Sequence, residues 1–334
     1  MACLLAGALI SACSSGTSIP NSSSGAATST TSSSSSSSTA NGKWSSVTSL
    51  DTGNSITSVS CSSATYCVAV DGISAGTTAG NALTFTGTSW SAPVAVGTQE
   101  SLVSVSCPTT SFCAAVDNGG NAFTYNGSAW TKFAKVAANQ FAAVACASSS
   151  FCIAGVSNGR VSTWDGSAWS KPAKVSSNGA GITAAACPSA SFCVATDGSG
   201  AYTFNGSAWS AEQALGSGAN SASEPVGVSC PSASFCVVAG YDGTAYTYNG
   251  TSWTTGAKIL VVNGSSLGLG GVSCPSASFC MAFAGGGNWF QTYKGHAWST
   301  PAMSQSGVTV RALSCASASF CMAIDPNHAL YWHP

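Results

Sequence analysis

Only 6% of the 334 residues are charged, the formal net charge is −1, and 16 residues are cysteine. Nine Lys and Arg spread along the chain form no basic stripe, so a nucleic-acid partner has no electrostatic footprint. Nothing in residues 43–334 approaches the run of about 20 apolar residues that a membrane span requires, which leaves a water-facing, cysteine-rich chain.

The chain opens with MACLLAGALISAC, residues 1–13, a short apolar segment ending in Ile10-Ser11-Ala12-Cys13. That ending resembles a bacterial lipoprotein lipobox; the resemblance implies a cleaved signal peptide, lipidation of Cys13 and a membrane link through the lipid anchor alone. A full secretory signal also carries Lys or Arg ahead of its apolar run, and this segment has neither. Residues 14–42 are almost wholly Ser, Thr, Gly and Ala, a composition that cannot bury enough apolar surface to order itself, so a flexible tether is expected. Export to the cell envelope or the extracellular space is the expectation from both segments.

Residues 43–334 are a repeat. The first cysteines of seven C-x5-C pairs, at 61, 107, 146, 187, 230, 274 and 315, are separated by 46, 39, 41, 43, 44 and 41 residues. One unit, GVSCPSASFCVVAGYDGTAYTYNGTSWTTGAKIL (227–260), holds four short β-type runs: GVSC, FCVVAG, TAYTYNG and SWTTGAKIL. Four strands at this period predict a β-propeller blade. The seventh unit stops after its third strand, while GKWSSVTSL (42–50) aligns with SAWSKPAKV (167–175) through Trp44 and Trp169. The N-terminal strand therefore completes the last blade, and closure removes the sheet edges that an open stack would expose. The expectation is an all-β, seven-bladed propeller of four antiparallel strands per blade, closed by that strand.

The unit SCPSASFCVATDGSGAYTFNGSAWS resembles the cysteine-paired propeller repeats of secreted and surface proteins in actinobacteria and related bacteria, and the resemblance implies fold and location more than chemistry. The YNGSAW turn is also similar to the Asp-box turn of sialidase-like propellers. Trp164-Asp165-Gly166-Ser167-Ala168-Trp169 comes nearest, with its Asp-to-Trp spacing one residue short.

Each cysteine pair ends strand one and begins strand two of one hairpin, opposite each other, where Cα separations of about 5.5 Å suit a disulfide. Seven are expected: Cys61 with Cys67, Cys107 with Cys113, Cys146 with Cys152, Cys187 with Cys193, Cys230 with Cys236, Cys274 with Cys280 and Cys315 with Cys321. Zinc sites use four ligands in closer pairs, and redox C-x-x-C motifs occur singly, so a sevenfold C-x5-C favours the staple, with metal or redox use as the alternative. Chain-entropy arguments give each staple on the order of 2 kcal/mol. The aromatic before each second cysteine and the tryptophan of each fourth strand read as packing between blades, with a carbohydrate-stacking role for the tryptophans as the alternative.

Function is sought where the repeats disagree. The position that opens the third strand holds Asn81, Asn121, Arg160, Gly200, Thr244, Trp289 and His328, seven residues that should ring one face. Asp71, Asp117, Asp197, Asp242 and Asp325 lie in the adjoining turns, where Asp, Asn and Gly serve turn geometry or, alternatively, a recognition surface. Asn81, Asn121, Arg160, Thr244, Trp289, His328, Asp117 and Asp242 are the candidate ligand-binding set. No metal site, cofactor or catalytic residue is expected. The chain has two arginines where sialidase chemistry uses three, its three glutamates fall in fourth strands or their exits, and its histidines do not converge. A displayed, non-enzymatic binding module for a glycan or an envelope or extracellular protein is the leading expectation. A propeller glycosidase or oxidoreductase and a purely structural envelope protein remain the alternatives.

Overall fold

The computed structural model describes residues 42–50, 53–74, 79–96, 99–133, 135–215, 224–254, 256–305 and 307–334. Residues 1–13 with Cys13, and the tether up to residue 41, lie outside the described residues.

The described residues form seven antiparallel blade sheets, a separate two-stranded hairpin of Val261–Val262 with Ser265–Ser266, and no helix. Blade 4 shows the local logic: Ala184–Ser189, Phe192–Thr196, Gly200–Phe204 and Gln213–Ala214 pair in chain order. Its second strand is sandwiched between neighbouring blades, so Cys193, Val194 and Ala195 are wholly buried and alternation gives way to a continuous apolar run. The following NGS turn is an Asx turn in which Asn205 Oδ1 accepts from the amides of Ser207 and Ala208, with Gly206 at φ +93°. Asn126, Asp165 and Asn249 cap the same turn in blades 2, 3 and 5, so the Asp-box likeness at Asp165 is one of turn geometry.

The fourth strand is interrupted where a continuous run was expected. In blades 1, 3, 4 and 5 the tryptophan makes a single bridge to the third strand and pairing resumes a few residues later. Pro93 and Pro172 stand in the gaps of blades 1 and 3, and Pro301 in a similar gap of blade 6, where they carry no amide to donate. The fourth strand of blade 2 has no proline and pairs continuously over Trp130–Phe133, while blades 4 and 5 are interrupted without one.

The ring closes as expected. Lys43 pairs with His333, Trp44 with Trp332, Thr48 with Ala329 and Ser49 with His328, so the N-terminal segment supplies the outer strand of blade 7. Seven buried clusters fill the seven interfaces between adjacent blades, including the one between blades 7 and 1.

The first strands touch one another around the axis. Their axial edge has no strand to pair with, so its amides need other acceptors. The serine before each first cysteine supplies one: Cys61 N–H donates to Ser314 Oγ, Cys107 to Ser60, Cys146 to Ser106, Cys274 to Ser229 and Cys315 to Ser273, all at 2.9 to 3.0 Å. At the remaining two interfaces the equivalent residues are Ala145 and Ala186, which have no hydroxyl.

All seven expected disulfides are present, with Cα separations of 3.9 to 4.2 Å. That is tighter than the expected 5.5 Å, and the direction of the first cysteine's amide, seen directly in the five blades with a seam serine, accounts for it. The first cysteine's amide points to the preceding blade, which makes the two cysteines a non-hydrogen-bonded cross-strand pair, the closer of the two kinds.

The aromatics pack as a belt. The phenylalanine before each second cysteine stacks or tilts against the third-strand aromatic of the next blade, as in Phe151 with Phe204, Phe279 with Trp332 and Phe320 with Phe85, at centroid distances of 5.6 to 6.3 Å. Within blades, Phe85, Tyr125, Trp164, Phe204, Tyr248 and Tyr293 tilt against the fourth-strand tryptophans at 5.2 to 5.7 Å. Tyr66 takes the phenylalanine's place in blade 1, and burial beside Tyr125 pushes its phenol up to about 12.

Candidate functional site

The turns joining strands two and three and the connections entering each first strand lie on one face, opposite the cysteine hairpins. There the structure sets the seven variable positions on one rung: each opens or immediately precedes its third strand. Their side chains differ in what they are free to do.

In blades 1, 2, 4, 5 and 7 an aspartate organises the turn. Asp71 accepts from the Asn81 amide at 2.6 Å and side chain at 3.0 Å; Asp117 accepts from the Asn121 amide at 2.8 Å and side chain at 2.7 Å. Asn81 and Asn121 therefore point part of their side chains inward at the turn. Asp197 is buried, which by itself raises its pKa, but hydrogen bonds from the Ser199 and Gly200 amides and the Tyr202 hydroxyl outweigh burial and hold it below the usual range. Asp242 follows the same balance: burial opposes, and Lys258 at 2.9 Å with the Thr244 amide prevails. Thr244 itself is buried. Asp325 receives the His328 amide and ring Nδ1, the latter at 3.0 Å.

Blades 3 and 6 lack the aspartate. Their turns read Ser157-Asn158-Gly159 and Gly285-Gly286-Gly287-Asn288, and they carry the most distinctive rung residues, Arg160 and Trp289. Arg160 is exposed, with one hydrogen bond to Pro172 O at 3.1 Å, and its cross-strand partner is the exposed Lys174. Trp289 is half-buried and pairs across strands with Met303, which is 59% exposed.

Lysines that the variable ring does not include complete this picture. Ala-Lys-Val/Ile recurs in the sequence at 134–136, 173–175 and 257–259; Lys174 and Lys258 lie on fourth strands, and Lys135 follows one. Lys135 donates to Gly119 O and Lys258 pairs with Asp242, whereas Lys174 faces another cation. The recurrence was the readable signal; its meaning depends on which turn lies opposite.

The nearest approach to a carboxylate pair is in blade 4, where Tyr202 donates toward Asp197 at 2.8 Å and Glu212 at 3.1 Å, and Ser199 bonds both. Burial and the adjacent carboxylates push the Tyr202 phenol well above its usual range. Asp197 is wholly buried, so this network braces the turn. Among the described residues no group of three or more His, Cys, Asp or Glu is arranged to hold a metal ion.

On the axis, the first strands surround a cavity of about 200 Å³, lined by small residues with Arg311 among them. Arg311 occupies the position of Thr57, Val103, Ala142, Thr183, Val226 and Gly270 in the other blades. The variable ring did not include it.

By sequence, no protein-family model and no curated protein matches the chain. Among solved structures it is similar to "YCF48 bound to D1 peptide", with a TM-score of 0.64 at 12% identity over 87% of this chain and 97% of that one. It is also similar to "Structure of U3-55K", at 0.69, 8%, 86% and 98%, and to "Crystal structure of RRP9 WD40 repeats", at 0.67, 7%, 86% and 99%. The likeness is one of fold.

Proposed function

We propose that the protein is a displayed, non-enzymatic binding module, exported to the cell envelope or beyond, which recognises an acidic segment of an extracellular protein on its turn face. The observation that carries this reading is the pair Arg160 and Lys174. Like charges directly opposite each other destabilise a sheet, and blade 3 has no turn aspartate to offset them. An acidic partner supplies the missing counter-charge. Seven disulfides support an oxidising compartment. Engagement of the turn aspartates within their own turns supports recognition over glycoside hydrolysis. The packing of the fourth-strand tryptophans against third-strand aromatics supports a protein over a glycan, as does the likeness in fold to "YCF48 bound to D1 peptide".

Parallel acidic-peptide and glycan arrays, probed with wild type and with Arg160→Ala and Lys174→Ala, test the proposal. Acidic peptides should be retained in a salt-sensitive manner and lost with either variant at a thermal stability no lower than that of wild type. Glycan-only retention, or acidic-peptide binding indifferent to both substitutions, overturns it.

A further inference from the structure

The axial cavity stands apart from the blade 3 cations and from the variable ring. We infer that it is a carboxylate-binding pocket whose anion is held by Arg311. Arg311 is the one charged residue in a wall otherwise made of Ala, Gly, Ser, Thr, Val, Leu and Phe. Its backbone amide is fixed by Ile324 O at 2.8 Å, while its side chain makes no hydrogen bond or ion pair among the described residues. A guanidinium offers a planar fork of donors that matches a carboxylate in two parallel bonds.

The wall adds donors of its own. Two residues above the cysteine-proximal seam, Ser58 Oγ accepts from the Val105 amide at 3.2 Å and Ser104 Oγ from the Val144 amide at 3.1 Å. Further round the ring the same position holds Ala143, Ala184, Gly227, Gly271 and Ala312, so no hydroxyl meets the next blade's amide. The amides concerned include those of Ala185, Val228, Val272 and Leu313, residues that line this same cavity. In blades 6 and 7 the direction of those amides follows from strand alternation: Cys274 and Cys315, two residues on, both donate to the preceding blade. The seam thus carries a hydroxyl at Ser58 and Ser104, the latter at one side of the cavity wall, and none from Ala143 round to Ala312 beside Arg311.

Size selects the ligand. About 200 Å³ admits a carboxylate and a few carbons, not a sugar chain or a folded domain. The anion therefore enters as the end of an extended group, either a free C-terminus or an acidic side chain.

The test is a titration of the full chain, by calorimetry and by amide chemical shifts, with three tetrapeptides. One is apolar with a free C-terminus, the second is its C-terminal amide, and the third is amidated with a single internal Glu. At least one carboxylate-bearing peptide should bind and shift axial amides, the amide should not, and which of the two acids binds identifies the source. Arg311→Gln should weaken binding by about tenfold or more, the worth of a charge-assisted hydrogen bond, without moving the melting point. Arg160→Ala should leave this binding unchanged, which separates the pocket from the protein-recognition surface. Equal binding of acid and amide, binding untouched by Arg311→Gln, or no binding by either acid overturns the assignment.

Discussion

On the face that carries the cysteine hairpins, the blades present nearly the same residues: a disulfide, an aromatic before its second cysteine, and an NGS-type turn leading to tryptophan. On the opposite face the turns joining strands two and three are braced by aspartate in five blades, while blade 3 carries a cation pair and blade 6 a Trp-Met pair. Both faces are held by the same strands, so the difference lies in what each turn must do. Where every blade repeats a solution, that solution holds blade to blade; where one blade departs from it, packing has not asked for the change.

The repeated side should be the costly one to break. Trp332 is 2% exposed, stacks on Phe279 of the preceding blade and pairs with Trp44 at the closure. Trp332→Ala should lower unfolding free energy by about 3–5 kcal/mol, the range for large aromatic truncations in a core, as read by denaturant unfolding. Removing one staple comes next. Replacing both Cys187 and Cys193 with Ala should cost about 2 kcal/mol. Free-thiol titration of the unfolded, unreduced wild type should find almost none in residues 42–334. Retention of wild-type stability by either variant would mean that repetition on this face is not about strength.

The serine seam gives a comparison inside the repeated side. Ser106 accepts the Cys146 amide at 3.0 Å, and Ser106→Ala should cost about 1 kcal/mol, since it leaves an axial donor without its partner. Ala145 and Ala186 are the natural form of that loss. Ala145→Ser, which restores a hydroxyl opposite the Cys187 amide, should return stability of the same order. A neutral Ala145→Ser paired with a costly Ser106→Ala would show that water already serves the blade 3 to blade 4 interface.

Periodicity made the fold legible. Blade number, staples and closing strand all repeat or complete a repeat, and a spacing of some forty residues cannot hide sevenfold. The site was legible only in part. The rung from Asn81 to His328 could be aligned without a structure, but Asn81 and Asn121 turn out to share their polarity with Asp71 and Asp117. Lys174 and Arg311 escaped because their meaning depends on neighbours from another strand or another blade. The hairpin of Val261–Val262 and Ser265–Ser266, inserted between blades 5 and 6, escaped because its Asn-Gly turn lies inside one of the longer intervals.

The smallest effect is the most discriminating between the two faces. Lys174→Glu exchanges a repulsion across the strand pair for an attraction to Arg160, and cross-strand charge pairs are worth about 0.2–1 kcal/mol. Exposure of both residues places the gain at the lower end, and added salt should erase it. The substitution should therefore raise stability slightly at low ionic strength while abolishing capture of acidic peptides. On the cysteine face, by contrast, every loss of a repeated residue should lower stability. If Lys174→Glu instead destabilised the fold, the blade 3 cations would belong with the packing of the ring, and the departure of that blade from its neighbours would have to be explained by structure alone.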